Sequence, residues 1–139
     1  MSGFANRGPQ DNLPGSAYPT GPGLFDPTLA AAGGGRTYAG AVTATPGGTR
    51  AAATKLRACV SRITVCATAG DSVALPPAVG GQVVYVSNSG AAACQIFADP
   101  STSDTINGVA AATGVSLASG KGASINSPAA GVWVWVLSA

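Results

Sequence analysis

The side chains that could do chemistry are few. The chain of 139 residues holds three cysteines, Cys59, Cys66 and Cys94, five aspartates and two lysines, with no histidine and no glutamate. A cysteine nucleophile lacks the imidazole that normally draws its proton. General acid–base work would fall to Asp, Lys, Tyr or Cys alone. Zinc is disfavoured because there is no C-x-x-C pair and no His. Gly114 to Lys121 (Gly-Val-Ser-Leu-Ala-Ser-Gly-Lys) has a phosphate-loop look, but five residues separate the glycines where four are needed, and Gly122 occupies the Ser/Thr position. Neither Lys55 nor Lys121 has a Ser three residues before it, so the S-x-x-K acyl-enzyme pattern fails. Asp99, Asp104 and Asn107 could share a calcium ion, yet these residue types at this spacing read first as turn formers. The reading is a protein that is not an enzyme, with no catalytic residue, cofactor or metal.

The cysteines then matter as structural groups and as candidate disulfide partners. Cys59 and Cys66 are seven residues apart. In one strand they face opposite sides at roughly 23 Å, beyond disulfide reach. At most one of them pairs with Cys94, which leaves an odd thiol that stays buried or crosses to another chain. Cys59 shares a strand face with Ile63 and Val65 and reads as core, with Cys66 at the strand end.

Composition divides the chain near residue 35. Before it, Pro9, Pro14, Pro19, Pro22 and Pro27 alternate with glycines, and Gly33-Gly34-Gly35 follows. That spacing excludes helix and central strand and favours an extended or polyproline II arm. Residues 1–35 are therefore an extended arm, and its bulky side chains Phe4, Leu13, Tyr18, Leu24 and Phe25 are its candidate anchors on a partner. Residues 36–49 read as a hinge or first strand, and 50–139 as a β-domain.

In that domain, β-branched runs at Arg57–Ala67, Gln82–Val86, Cys94–Ala98 and Gly131–Leu137 are separated by turn formers such as Gly80-Gly81, Asn88-Ser89-Gly90, Asn107-Gly108 and Ser127-Pro128. Turns about every ten residues predict an all-β fold, a small antiparallel β-sandwich or jelly-roll-like domain. In the last run Trp133 and Trp135 fall on one face and Val132, Val134 and Val136 on the other, so the strand should be buried on both sides, against a core and against a subunit. Tyr85 also lies in a run that reads as buried.

Charged residues make up 9% of the chain and the net charge is +2, with the basic residues scattered, so nucleic-acid binding is not expected. No stretch reaches the roughly 18 apolar residues of a membrane span, and the N-terminus shows no secretory apolar core, so synthesis in the cytoplasm and no membrane contact are expected. A surface so poor in charge points to assembly.

The order Ser72–Gly81, Val86-Ser-Asn-Ser-Gly90, Ile96-Phe97-Ala98, Asp104-Thr-Ile-Asn-Gly108, Leu117-Ala-Ser-Gly-Lys121 and Gly131-Val-Trp133 resembles a β-domain of tailed-phage virion proteins, the capsid decoration and head-fibre modules, over about residues 50–139. The resemblance implies a non-enzymatic capsid decoration (cement) protein on the outer capsid surface of the virion. It would be a homotrimer with the major capsid protein as partner. The alternative is a head-fibre or tail-fibre module that binds host cell-surface glycan. The Pro-rich arm and the cysteines depart from the pattern, so attachment and cross-linking rest on this sequence alone.

Overall fold

The computed structural model describes residues 37–138, which form an all-β unit with no helix among them. The arm with Phe4, Leu13, Tyr18, Leu24 and Phe25 lies outside the described residues. Ten strands follow in order: β1 (Tyr38–Thr43), β2 (Thr54–Lys55), β3 (Val60–Val65), β4 (Ser72–Ala74), β5 (Val83–Asn88), β6 (Cys94–Phe97), β7 (Thr105–Ile106), β8 (Val115–Leu117), β9 (Gly122–Ala129) and β10 (Val132–Leu137). They build a six-stranded sheet, β1-β3-β5-β9-β10-β7, and a four-stranded sheet, β2-β4-β6-β8.

The expected antiparallel sandwich or jelly roll is corrected by the pairing. Strands β1, β3 and β5 run parallel in the large sheet, and β2, β4 and β6 run parallel in the small one. Each pair β1/β2, β3/β4 and β5/β6 is therefore one rung of a short β-solenoid, stacked on the next. Tyr38 lies beside Val60 and Val60 beside Tyr85, advances of 22 and 25 residues per rung. Parallel strands normally need a long crossover. Here the partner sheet supplies it, because the chain visits the small sheet before returning to the large one. The third rung is closed by antiparallel neighbours, β9 on β5 and β8 on β6. Short strands with frequent turns look alike in sequence whether the chain reverses or passes to a second sheet, and these rungs carry no repeated motif to tell the two apart.

The core lies between the sheets. Val42, Ile63, Val84, Val86, Ile125 and Trp133 point inward from the large sheet and meet Val73, Ile96 and Leu117 from the small one. The outer side of the small sheet is also covered, since Ala53 packs with Ala74 and Phe97 in a second apolar cluster. That is why all three residues of β4 are buried. The loop before β2 crosses the β3–β4 turn so closely that a Cβ on Gly48 would stand 1.8 Å from the carbonyl oxygen of Gly70, and its φ is +35°, so only glycine fits.

A bulge decides which cysteine is inside. Val42 pairs with Ile63 and Thr43 with Val65, so Thr64 is an extra residue on β3. One inserted residue reverses the alternation beyond it. Val65 accordingly turns outward at 48% exposure and Cys66 turns in, buried, while Cys59 is only half-buried. The core role expected of Cys59 and Val65 passes to Cys66.

The Asn107-Gly108 turn forms as the sequence predicts, with φ +52° and +75°. The Val109 N–H donates to the Ile106 carbonyl at 2.9 Å across it. In β10, Trp133 is fully buried, but Val134 and Val136 are 37% and 58% exposed. The double-sided burial expected for this strand is half met within the single chain.

Candidate functional site

Among the described residues, none covers the outer face of the large sheet. Backbone register places Tyr38, Val60, Tyr85, Ser124 and Val136 side by side in one row across five strands. Tyr38 is 78% exposed and Tyr85 40%, and Val60 is similarly open. Tyr85 was expected to be buried; it sits on the odd-numbered, outward side of β5, whose even positions Val84 and Val86 fill the core. The next row holds Val83, Asn126 and Val134, again half-exposed apolar residues flanking a small polar one.

The face is concave because of β9. Its outward residues Gly122 and Ser124 are small, so they floor a shallow groove of about 440 Å³, walled by Tyr85 and Val60 on one side and Val136 and Leu137 on the other. One charged residue shares this face: exposed Arg62, in register with Ser87 and Gly122, whose Nε donates to Ser89 Oγ at 3.1 Å. Five strand spacings of ~4.8 Å by six residues at ~3.3 Å give on the order of 500 Å² in plane. Exposed apolar side chains adjoining one another in a row are a feature that docking surfaces share.

The residues singled out for chemistry have local structural uses. Asp99 Oδ1 accepts from the Ser101 N–H at 2.7 Å and from the Ser101 hydroxyl. Asp104 Oδ2 accepts from the Ala78 N–H at 2.7 Å, and Asn107 Oδ1 from the Trp135 N–H at 2.9 Å. The three are therefore separate turn and strand supports. Nearby, the Arg50 guanidinium donates to the carbonyl oxygens of Ala98, Asp99 and Thr102 and ties the loop before β2 to the end of β6. Of the cysteines, Cys66 and Cys94 are buried in the same core cluster, the Cys66 thiol donating to the Thr68 carbonyl at 3.8 Å and the Cys94 thiol to the Gln95 carbonyl at 3.7 Å.

Four groups titrate away from their ordinary ranges. The Thr68 hydroxyl, with the N–H groups of Thr68 and Ala67, holds the Asp71 carboxyl below the usual range. Burial pushes Asp99 up, but the Ser101 hydrogen bonds and the Lys55 and Arg50 charges outweigh it, and the net shift is downward. Burial raises the Cys66 thiol, and it pushes Cys94 up to about 12, with Cys66 and Asp71 adding to the effect.

Carboxylates lowered on folding contribute stability that is present above their unfolded pKa of about 3.9 and is lost as pH falls through the folded value. Thiols raised on folding contribute stability present below about 8.5 and lost as pH rises toward the folded value. The thermal midpoint plotted against pH should show a plateau between about 4 and 8.5 and fall on both sides. Asp71→Asn should lower the plateau and flatten the acid limb; an acid limb as steep as wild type would exclude Asp71 as its source.

No protein-family model matches the chain, and no curated protein matches it.

The feature of the face with the weakest signal in the sequence is its trough. Gly122 to Ala129 (Gly-Ala-Ser-Ile-Asn-Ser-Pro-Ala) lacks β-branched density, and Ser127-Pro128 reads as a turn. Yet β9 lies between β5 and β10 in the middle of the sheet. Only the inward alternation of Ala123, Ile125 and Ser127 marks it as a strand.

Proposed function

We propose that the chain is a structural virion protein, a capsid decoration (cement) protein of a tailed phage. Its β-domain self-associates, as a trimer in the family it resembles, on the outer capsid surface. The N-terminal arm, anchored through Phe4, Leu13, Tyr18, Leu24 and Phe25, grips the major capsid protein or a neighbouring trimer. The observation that carries this reading is the open apolar row Tyr38–Val60–Tyr85–Val136, which a chain with 9% charged residues leaves to be covered by copies of itself. A stacked two-sheet body supports it physically, because a plug on a shell needs rigidity. Three arms on one particle would add avidity of about 10² or more over one.

Deleting residues 1–30 tests the division of labour. The truncated protein should keep its β-type circular dichroism and its self-association while losing binding to phage heads in co-sedimentation; full head binding would overturn the arm's role. A second reading, a head-fibre or tail-fibre module for host glycan, draws support from Tyr38 and Tyr85 exposed in one row. Micromolar glycan-array binding abolished by Tyr85→Ala would favour it over cement.

A further inference from the structure

We propose that Cys66 and Cys94 form an intramolecular disulfide that staples the second rung of the fold to the third. The inference is independent of the decoration reading. Both residues are fully buried and are free thiols in this structure. Cys66 follows β3 and Cys94 opens β6, so the two belong to successive rungs stacked in parallel register. The backbone brings these segments together. The Ala92 N–H donates to the Cys66 carbonyl at 2.9 Å, the Gly70 N–H to the Ala93 carbonyl at 3.3 Å, and the Gln95 N–H to the Asp71 carbonyl at 2.8 Å. Both side chains belong to the one core cluster between the sheets, the Cys66 thiol donating to the Thr68 carbonyl at 3.8 Å and the Cys94 thiol to the Gln95 carbonyl at 3.7 Å. Burial raises both thiols and pushes Cys94 up to about 12.

Contact is tight on the other side of Cys66 as well. A Cβ on Gly90 would stand 2.6 Å from the Cys66 Cβ, so the Asn88–Ala92 turn closes directly over it. That closure shields the pair from bulk reagents once the domain has formed. The bond is best made during folding, while the turn is still open, and it is then protected.

The reaction balances with a low-molecular-weight disulfide such as oxidised glutathione as oxidant. The Cys66 thiolate attacks one sulfur of that disulfide, forming a mixed disulfide and releasing one glutathione thiolate. The Cys94 thiolate then attacks the Cys66 sulfur and releases the second. Two protein thiols lose two protons and two electrons; the two electrons break the glutathione S–S bond and the protons leave on the two glutathione thiols. Cys59, half-buried at the other end of β3, takes no part in this bond.

The full chain makes the test simple, because cleavage after Arg62 and Lys121 places Cys59 in residues 58–62 and both Cys66 and Cys94 in residues 63–121. The protein is refolded from urea with oxidised glutathione, alkylated under denaturing conditions and digested with trypsin. The expected result is that the 63–121 peptide carries no alkyl group and is about 2 Da lighter than after reduction, while the 58–62 peptide is alkylated. Two alkyl groups on 63–121, a glutathione adduct on it, or a link to a second chain would overturn the proposal. Cys94→Ser should make Cys66 alkylatable. The oxidised wild type should also melt on the order of 10 °C above the reduced protein, since the bond closes a loop across two rungs; equal midpoints would count against a staple.

Discussion

Replacing Asn88 by Ala lowers the thermal midpoint by on the order of 15 °C, the effect of losing about 3 kcal/mol in a domain of this size. Asn88 ends β5 and is buried, yet its side chain is fully engaged. Nδ2 donates to the carbonyl oxygens of Ala92 at 2.8 Å and Leu117 at 2.9 Å, and Oδ1 accepts from the Gly90 N–H at 2.9 Å. One amide thus holds the turn between β5 and β6 and fastens it to β8. Alanine leaves an N–H and two carbonyls without their partner in the protein interior, and each such group costs about 1–3 kcal/mol. Asn88→Asp keeps the acceptor but removes both donated bonds and buries a charge, so it should be at least as damaging. Thermal unfolding followed by far-ultraviolet circular dichroism measures both variants. A shift below about 3 °C for Asn88→Ala would show that these bonds are dispensable.

That node also shows how far the sequence could be read. Asn88-Ser89-Gly90 is legible as a turn because these residues supply local hydrogen bonds and small volume. What the turn leads to is not legible, since it hands the chain to the other sheet and does not reverse it into a hairpin. The runs around β3, β5, β6 and β10 stand out through Val, Ile, Phe and Trp. By contrast β9 is hidden by Ser, Asn, Gly and Pro, although it is central. The bulge at Thr64 has no composition signature, so the face assignments beyond it, Val65 and Cys66, come out reversed. Among site residues, the spacing argument against a Cys59–Cys66 bond left Cys94 as the partner of either. Only the stacking of rungs selects Cys66. The open face was half visible: alternation in β10 showed two apolar sides, and register across five strands was needed to join Val136 to Tyr85, Val60 and Tyr38.

That row is where substitution should matter most for assembly. Tyr85→Asp and Val136→Asp change side chains that point away from the core, so the domain should keep its fold and lose only a few degrees of thermal midpoint. At a central position of an interface, an aromatic or a packed aliphatic anchor is worth about 2–4 kcal/mol, which is roughly 30- to 1,000-fold in dissociation constant for each contact. A buried carboxylate facing its symmetry mate adds repulsion to that loss. Val79→Asp serves as control, because Val79 is 61% exposed but lies outside the row. Sedimentation velocity of the full chain across micromolar concentrations decides the matter. The account predicts that wild type and Val79→Asp sediment as an oligomer of the 13.3 kDa chain and that the Tyr85→Asp, Val136→Asp double variant sediments as a folded monomer. A wild type that stays monomeric at 100 times that concentration range, or an oligomer untouched by the double substitution, would contradict it.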